Sequence, residues 1–443
     1  MKRISSLCLG ADIWISGDLE IRNAFTKFFG DLYTTSRSRC WGNALHNVHS
    51  SVSDEQNLDL SRAFSANEVQ KAVTQLGTFK APSPNSFLGF FYSKYWEIVC
   101  DNVNSAVNCF YMGEFSVNNI SKTNIVLIPK VPHSESISQF RSISLWRQIQ
   151  DNLILAHEAY HYLKLKKSKV DHEFALKLDM NKAYDRVEWD FLDVALLEFG
   201  FCSDWFPLVM KVVSSVSFSI LINGKQGQPF TPTRGLRQGD PLSPYLFLIV
   251  GEVLSKSIIT ATCSNHLQQI KLSTGCLGLS RLLFADDSLF FLKATPTNCN
   301  SLKGILDSYC TALGQSVNLG KSSIFFSAFT PLQLQESIAS TLNIRISDKP
   351  GIYLGLPTHW GNSKKSVLAY IRERNKQKLE GWKANVLSQA GREVLIKAVA
   401  MAVPAYPVSI FLLPVTLCKA LNFDISNFWW GFLDSKDKLY WKA

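Results

Sequence analysis

Apolar positions along this chain follow two periods, and each period marks a different kind of element. In Ile21-Arg-Asn-Ala-Phe-Thr-Lys-Phe-Phe29 the large residues recur at helical spacing, which predicts an amphipathic helix. Ser65-Ala-Asn-Glu68 spells a capping box, in which hydroxyl and carboxylate each satisfy a free N–H of the helix that follows. Phe174-Ala-Leu-Lys-Leu178 alternates as a strand does, with Asp179 at its C-terminal end. A helix is expected from about Glu188 to Phe199, and Ser243 opens a long apolar helix to about Thr260. Phe218-Ser-Ile-Leu-Ile222 followed by Asn223-Gly224 predicts a tight hairpin, because Asn-Gly tolerates positive φ. Leu282–Phe284 and Ser288–Leu292 read as two short strands joined through Ala285-Asp286-Asp287. A helix over about Cys299–Leu313 and a strand at Ser323–Phe326 complete an antiparallel sheet with helices on one face. Asn124–Ile128 reads as a buried strand, Lys80–Ser86 as turn chemistry and Arg37–Asn57 as loop. From Tyr370 onward the pattern is mostly helical.

Composition places the chain among ordered globular proteins, with 46% hydrophobic and 19% charged residues over 443 positions, enough for two or three subdomains. The net charge of +10 suits a polyanionic partner without requiring one. Ten cysteines without a Cys-x-x-Cys pair argue against a zinc cluster and fit free thiols in a reducing compartment. The N-terminus is too short in apolar residues for a secretory signal. Ala398–Val415 is the best candidate for a membrane span, but Pro404, Pro407 and Pro414 interrupt it. An intracellular protein of nucleus or cytoplasm, neither secreted nor membrane-bound, is expected.

Asp179 and the pair Asp286-Asp287 are the candidate chemistry. Two-metal phosphoryl transfer needs carboxylates from separate elements converging on cations ~3.5–4 Å apart, and magnesium takes such oxygen ligands. An ordinary polar turn also reads Asp-Asp. Repulsion between adjacent carboxylates flanked by large apolar residues favours a site that awaits a cation.

Leu178-Asp-Met-Asn-Lys-Ala-Tyr-Asp-Arg-Val187, Arg234-Gly-Leu-Arg-Gln-Gly-Asp-Pro-Leu-Ser-Pro244 and Phe284-Ala-Asp-Asp287 resemble, in this order, three motifs of non-LTR (LINE-type) retrotransposon reverse transcriptases, particularly those of plants. Asn318-Leu-Gly-Lys-Ser-Ser323 and Tyr353-Leu-Gly-Leu-Pro357 resemble the next two, and the likeness runs from about residue 64 to Trp430. The resemblance implies an α+β, right-hand polymerase with a ferredoxin-like antiparallel palm sheet and a helical thumb. Its expected divisions are a linker or remnant over 1–63, fingers over 64–170, palm over 171–327, and primer grip with helical thumb over 328–443. It implies an RNA-directed DNA polymerase that joins a dNTP to a primer 3′-OH on an RNA template. Two Mg²⁺ ions, with Mn²⁺ as substitute, are implied at Asp179, Asp286 and Asp287.

The resemblance also places Tyr184 under the incoming sugar and Gln238-Gly239 against nucleotide and template. Lys130 and Arg141 are expected on the triphosphate, Lys321 near the pyrophosphate as a general acid, and Tyr353, Leu354 and Gly355 in the primer grip. A core tyrosine, a glycine turn and solvated surface charges are the plainer readings of these residues. Arg374, Lys376, Lys378, Trp382 and Lys383 occupy the thumb position, where they either track a duplex or are simply solvated.

The chain departs from the family in three places. Ser83 and Ser86 stand where the family has glycine, and Ser142 where it has proline. At Leu145-Trp146 a fingers segment of the family has no counterpart, nor do its endonuclease, zinc-binding and RNase H regions appear in these residues. A catalytically inactive remnant that at most binds nucleic acid is therefore the alternative.

Overall fold

The computed structural model describes residues 4–9, 13–36, 41–76, 87–119, 121–129, 136, 140–141, 149–358, 364–380 and 387–430. First in the chain come strands β1 (Ser6–Cys8) and β2 (Trp14–Ser16), then helices α1 (Asp18–Leu32), α2 (Gly42–Leu45), α3 (Asp54–Leu60), α4 (Ala66–Gln75), α5 (Gly89–Lys94) and α6 (Trp96–Tyr111). Strands β3 (Lys122–Val126), β4 (Ile128–Pro129) and β5 (Phe140–Arg141) precede α7 (Ile149–Leu165), β6 (Glu173–Asp179), α8 (Trp189–Glu198) and α9 (Phe206–Ser214). Next are β7 (Ser217–Ile222), β8 (Lys225–Gln226), α10 (Ser243–Cys263), β9 (Arg281–Phe284), β10 (Asp287–Lys293), α11 (Pro296–Leu313) and β11 (Ser323–Phe326). The last are α12 (Leu332–Leu342), β12 (Ile352–Tyr353), β13 (Leu356–Pro357), α13 (Lys364–Glu380), α14 (Gln389–Leu395), α15 (Ala402–Val408) and α16 (Val415–Trp430).

Two compact units result, one from 1–146, 178–268 and 295–322, the other from 147–177, 269–294 and 323–443. In the first unit β3 pairs in parallel with β7, and β7 turns back through Asn223-Gly224 into β8. Asn223 (φ 49°) and Gly224 (φ 78°) both take the left-handed conformation that the Asn-Gly spelling anticipates. The face of α1 bearing Ile21, Phe25, Phe29 and Leu32 packs in one core with Ile125, Phe218, Ile220 and Ile222. Residues 1–63, expected as a linker ahead of the polymerase, thus donate a core helix. The apolar face was legible, but the surface it covers comes from strands about a hundred and about two hundred residues later. The polar run 37–57 is also not all loop: Ser53 and Gln56 form a capping box that starts α3.

The second unit holds the four-stranded sheet in the order β11-β6-β10-β9; only Leu178 and Asp179, the last residues of β6, belong to the first unit. Numbered by chain position, its strands lie 4-1-3-2, the split βαβ arrangement of a βαββαβ fold. β11 pairs antiparallel with β6, and β9 with β10. The Ala294 N–H donates to the His172 carbonyl at 2.8 Å, so β10 ends beside the start of β6. Helix α7 lays Leu153, Ala156, Tyr160 and Leu163, spaced three or four apart, in one core with Ala175, Leu289 and Phe291. Phe290 and Leu292, which alternate to the opposite side, are buried as well. Burial of residues on both sides of β10 explains why Leu289–Leu292 is an unbroken apolar run.

Of the expected divisions, 64–170 and 171–327 each contribute to both units, because the long excursions between sheet strands fold into the other unit, while 328–443 lies wholly in the second. Ala398–Val415 holds short helical pieces rather than one helix: a turn of helix ends at Ala400, and α15 accommodates Pro404 and Pro407 within its seven residues. Among the described helices only α10 is long and apolar enough to cross a membrane. It packs on α8 and α11, with Leu246, Val250, Val253 and Ile258 buried, as a core helix does.

Candidate active site

Asp179 is held at the end of β6 by its backbone. Its N–H donates to Ser322 Oγ at 3.2 Å, and its carbonyl accepts from the Asn318 N–H at 2.8 Å. The turn of Asn318–Ser322 that makes these bonds also carries Lys321, whose Nζ lies 3.5 Å from Asp179 Oδ2. The ammonium is 58% exposed and the carboxylate 16%, so the pair is screened and leaves Lys321 free to swing toward another anion. Lys321, expected beside a pyrophosphate, thus stands beside one of the three expected metal ligands.

The other two carboxylates occupy the β9–β10 turn. Phe284 pairs with Asp287, which leaves Ala285 and Asp286 as the connecting residues. Ala285 has φ 51°, a conformation that costs an L-residue about 1–2 kcal/mol. Asp286 is exposed and Asp287 half-buried, while Ser288 to Leu292 behind them are buried. A strained turn on a rigid buried stem is how a fold holds two like charges at one tip. Beneath it lies Tyr353, whose phenol is pushed up by burial and then by the negative charge of Asp287. The donors are hard carboxylate oxygens, which fit magnesium. Among the described residues no group of three or more His, Cys, Asp or Glu side chains is gathered for a metal.

Between β6 and α8 the chain makes a second polar cluster, within the first unit. Tyr184 is half-buried and stacks on Phe247 of α10, with ring centroids 4.4 Å apart and planes 9° from parallel. Gln238 donates from Nε2 to Asp185 Oδ1 at 2.7 Å, and the next residue, Gly239, is exposed at φ 87°. The Leu236 N–H donates to the Tyr184 carbonyl and the Gly235 N–H to the Val187 carbonyl, at 2.8 and 2.7 Å. These bonds clip the segments 184–187 and 235–238 together. Lys130 lies outside the described residues. Arg141 pairs by its backbone with Ile128, and its side chain lies outside them.

The sequence pattern described as "Reverse transcriptase (RNA-dependent DNA polymerase)" matches residues 116–358, more than half of the chain. The chain belongs to the reverse transcriptase family. Among relatives, the Pol polyprotein of the type-1 retrotransposable element R2 of Popillia japonica is 31% identical over 129 residues, 29% of this chain and 20% of that protein. The corresponding protein of the R2DM element of Drosophila melanogaster is 27% identical over 192 residues, covering 39% and 17%. An uncharacterised mitochondrial protein of Arabidopsis thaliana is 48% identical over 68 residues, covering 15% and 56%. With these relatives, this reverse transcriptase is of the non-LTR type that its motifs imply. It spans about half the length of the Arabidopsis protein and about a fifth of each R2 protein. Telomerase from Candida albicans superimposes with a TM-score of 0.30 at 16% identity, over 65% of this chain and 47% of that one, too loosely to bear on the fold.

In this reverse transcriptase the expected primer-grip turn is a hairpin in which Tyr353 pairs with Leu356 around Leu354 (φ 50°) and Gly355 (φ 79°). Tyr353 and Leu354 are buried in the core under α7, and the Tyr406 hydroxyl donates to the Leu354 carbonyl at 2.9 Å. Burial of the leucine side chain offsets the strain of its left-handed backbone. Only Gly355 and Ile352 face solvent here. On α13, Arg372 pairs with Asp424 at 2.7 Å and Lys376 with Glu380 at 3.4 Å; Arg374 lies over the Tyr370 ring. Trp382 and Lys383 lie outside the described residues, as do Lys80–Ser86 and the Leu145–Trp146 join.

Sequence reasoning missed Tyr33, Glu188 and Arg234 as parts of this site's frame. Arg234 Nη1 and Glu188 Oε1 form a buried ion pair at 3.0 Å, and Arg234 Nε donates to the Leu32 carbonyl at 2.9 Å. Thr35 and Ser36 hydroxyls also donate to Glu188. Arg234 and Glu188 sit inside or beside quoted motifs, which was a signal. Tyr33 carried none.

Proposed function

We propose that this chain is the polymerase portion of a non-LTR reverse transcriptase, extending a DNA primer with dNTPs on an RNA template. In this reading β11-β6-β10-β9 is the palm sheet, the region before it supplies the fingers, and α13 to α16 form the thumb. The observation that carries the reading is the placement of the acidic residues: Asp179 closes β6 and Asp287 opens β10, neighbouring strands of one sheet in the 4-1-3-2 order.

Asp179, Asp286 and Asp287 would hold two magnesium ions, which when bound supply charge neutralisation at the attacking and departing oxygens. The chain's own residues then do the rest. Tyr184, backed by Phe247, presents a flat rigid surface to the sugar, and Gln238-Gly239 brings backbone close to the nucleotide. Lys321 carries a proton on Nζ and reaches from the Asp179 carboxylate toward a departing pyrophosphate.

The alternative, a remnant that only binds nucleic acid, draws on the serines at Ser83 and Ser86 and on the Leu145–Trp146 join. Primer extension on an RNA template with Mg²⁺ and dNTPs decides between them. The expected outcome is extension by the natural chain and none by the Asp286→Ala, Asp287→Ala double variant. Equal signal from both sinks the polymerase reading, and binding of template by both without extension supports the remnant.

A further inference from the structure

Tyr33 follows α1 directly and lies well before the matched region 116–358. Its hydroxyl donates to Asp185 Oδ1 at 2.8 Å, the same oxygen that accepts from Gln238 Nε2 at 2.7 Å. Asp185 is fully buried and Tyr33 is 3% exposed. The tyrosine ring is fixed on three sides. It packs against Phe218 and Phe230, with centroids 4.9 and 6.2 Å away. Gly235 at φ 95° passes so close that a Cβ there would come within 2.7 Å of the ring. The Tyr33 carbonyl accepts from the N–H groups of Thr233 and Arg234 at 2.8 and 3.2 Å, which ties the Tyr33 backbone to the segment leading to Gln238. Burial, reinforced by the Asp185 charge, pushes the Tyr33 phenol well up, so the hydroxyl keeps its proton and remains a donor.

A side-chain amide has two faces to offer, a nitrogen that donates and an oxygen that accepts. A carboxylate only accepts, so Asp185 selects the nitrogen end of Gln238 and turns Oε1 away. Tyr33 holds that carboxylate in place from the other side. We propose that Tyr33 is a positioning residue for nucleotide binding, acting through Asp185 to fix the orientation of the Gln238 amide. The proposal rests on the polymerase reading above for the role of Gln238.

The test uses the full chain with Tyr33→Phe, which removes the hydroxyl and keeps the ring. Ile21→Val serves as a control that loosens the same core about three turns of helix before Tyr33, and Gln238→Met removes the amide. Loss of one hydrogen bond to a charged group should raise KM for the dNTP about tenfold in Tyr33→Phe and leave kcat within about twofold. Adding Gln238→Met to Tyr33→Phe should raise KM no further than Gln238→Met alone, and Ile21→Val should leave it unchanged. The side-chain amide resonance of Gln238, in protein carrying ¹⁵N-glutamine, should shift in Tyr33→Phe and not in Ile21→Val. An unmoved resonance overturns the proposal whether or not the chain polymerises. A shifted resonance with unchanged KM overturns the functional half. Absence of extension by the natural chain removes the polymerase reading and, with it, the role assigned to Gln238.

Discussion

Glu188 shows how much one side chain can organise when it is buried with partners. Burial alone would raise its carboxyl, but hydrogen bonds from Thr35 and Ser36 and from the Arg234 guanidinium outweigh that and hold it below the usual glutamate range. The left-handed cap of α11 is built around the same pair, since a Cβ on Gly314 would come 2.7 Å from Glu188 Oε1. Glu188→Gln leaves a buried guanidinium without its counter-charge and should cost about 3–5 kcal/mol at neutral pH. A carboxyl whose folded pKa is depressed contributes stability above its unfolded value, near 4.3, and loses it as pH falls through the lower folded value. The gap between natural and variant chains in urea unfolding should therefore be constant from pH 7 to about 5 and narrow below about 4. A gap that widens in acid would contradict the ion pair.

At the scale of elements, α1 decides whether the N-terminal stretch belongs to the fold. Phe25 is fully buried between its own helix and strands β3 and β7. Phe25→Ala should lose about 3–5 kcal/mol, the cost of a phenyl-sized cavity, and calorimetry should show a single lowered transition for the first unit. A variant that unfolds like the natural chain would return residues 1–63 to the status of a linker. Most elements were legible from local pattern. The Asn223-Gly224 turn, the Ser65 capping box and the α10 start at Ser243 all lie where spacing and turn chemistry put them. Short helices inside polar sequence were not, because α3 is started by a cap rather than by an apolar face.

For the whole molecule, the polymerase reading proposed above would make the charge of +10 and the basic residues of α13 contributors to nucleic-acid affinity. Arg372 is engaged by Asp424, so Arg374 and Lys378 are the better candidates for phosphate contact. Binding of an RNA–DNA duplex should weaken steeply with salt, and replacing both by glutamine should flatten the log–log slope by about 1 per lost contact. An unchanged slope would remove α13 from the interface.

What the sequence alone determined is whatever depends on near neighbours: strand and helix periods, turn residues with positive φ, and motifs whose order and spelling mark the reverse transcriptase family. Asp179 at a strand end and Asp286-Asp287 at a hairpin tip were readable because a period-2 run and a tight turn are local patterns. Tertiary structure alone decided what covers each face and which distant groups meet. Tyr33, Asp185 and Gln238 share one oxygen across two hundred residues of chain, and nothing in their local spelling carries that distance. Burial on both sides of β10 and the place of α1 in the core of the first unit follow the same physics. Apolar pattern says that a surface will be covered, and only the folded chain says by what.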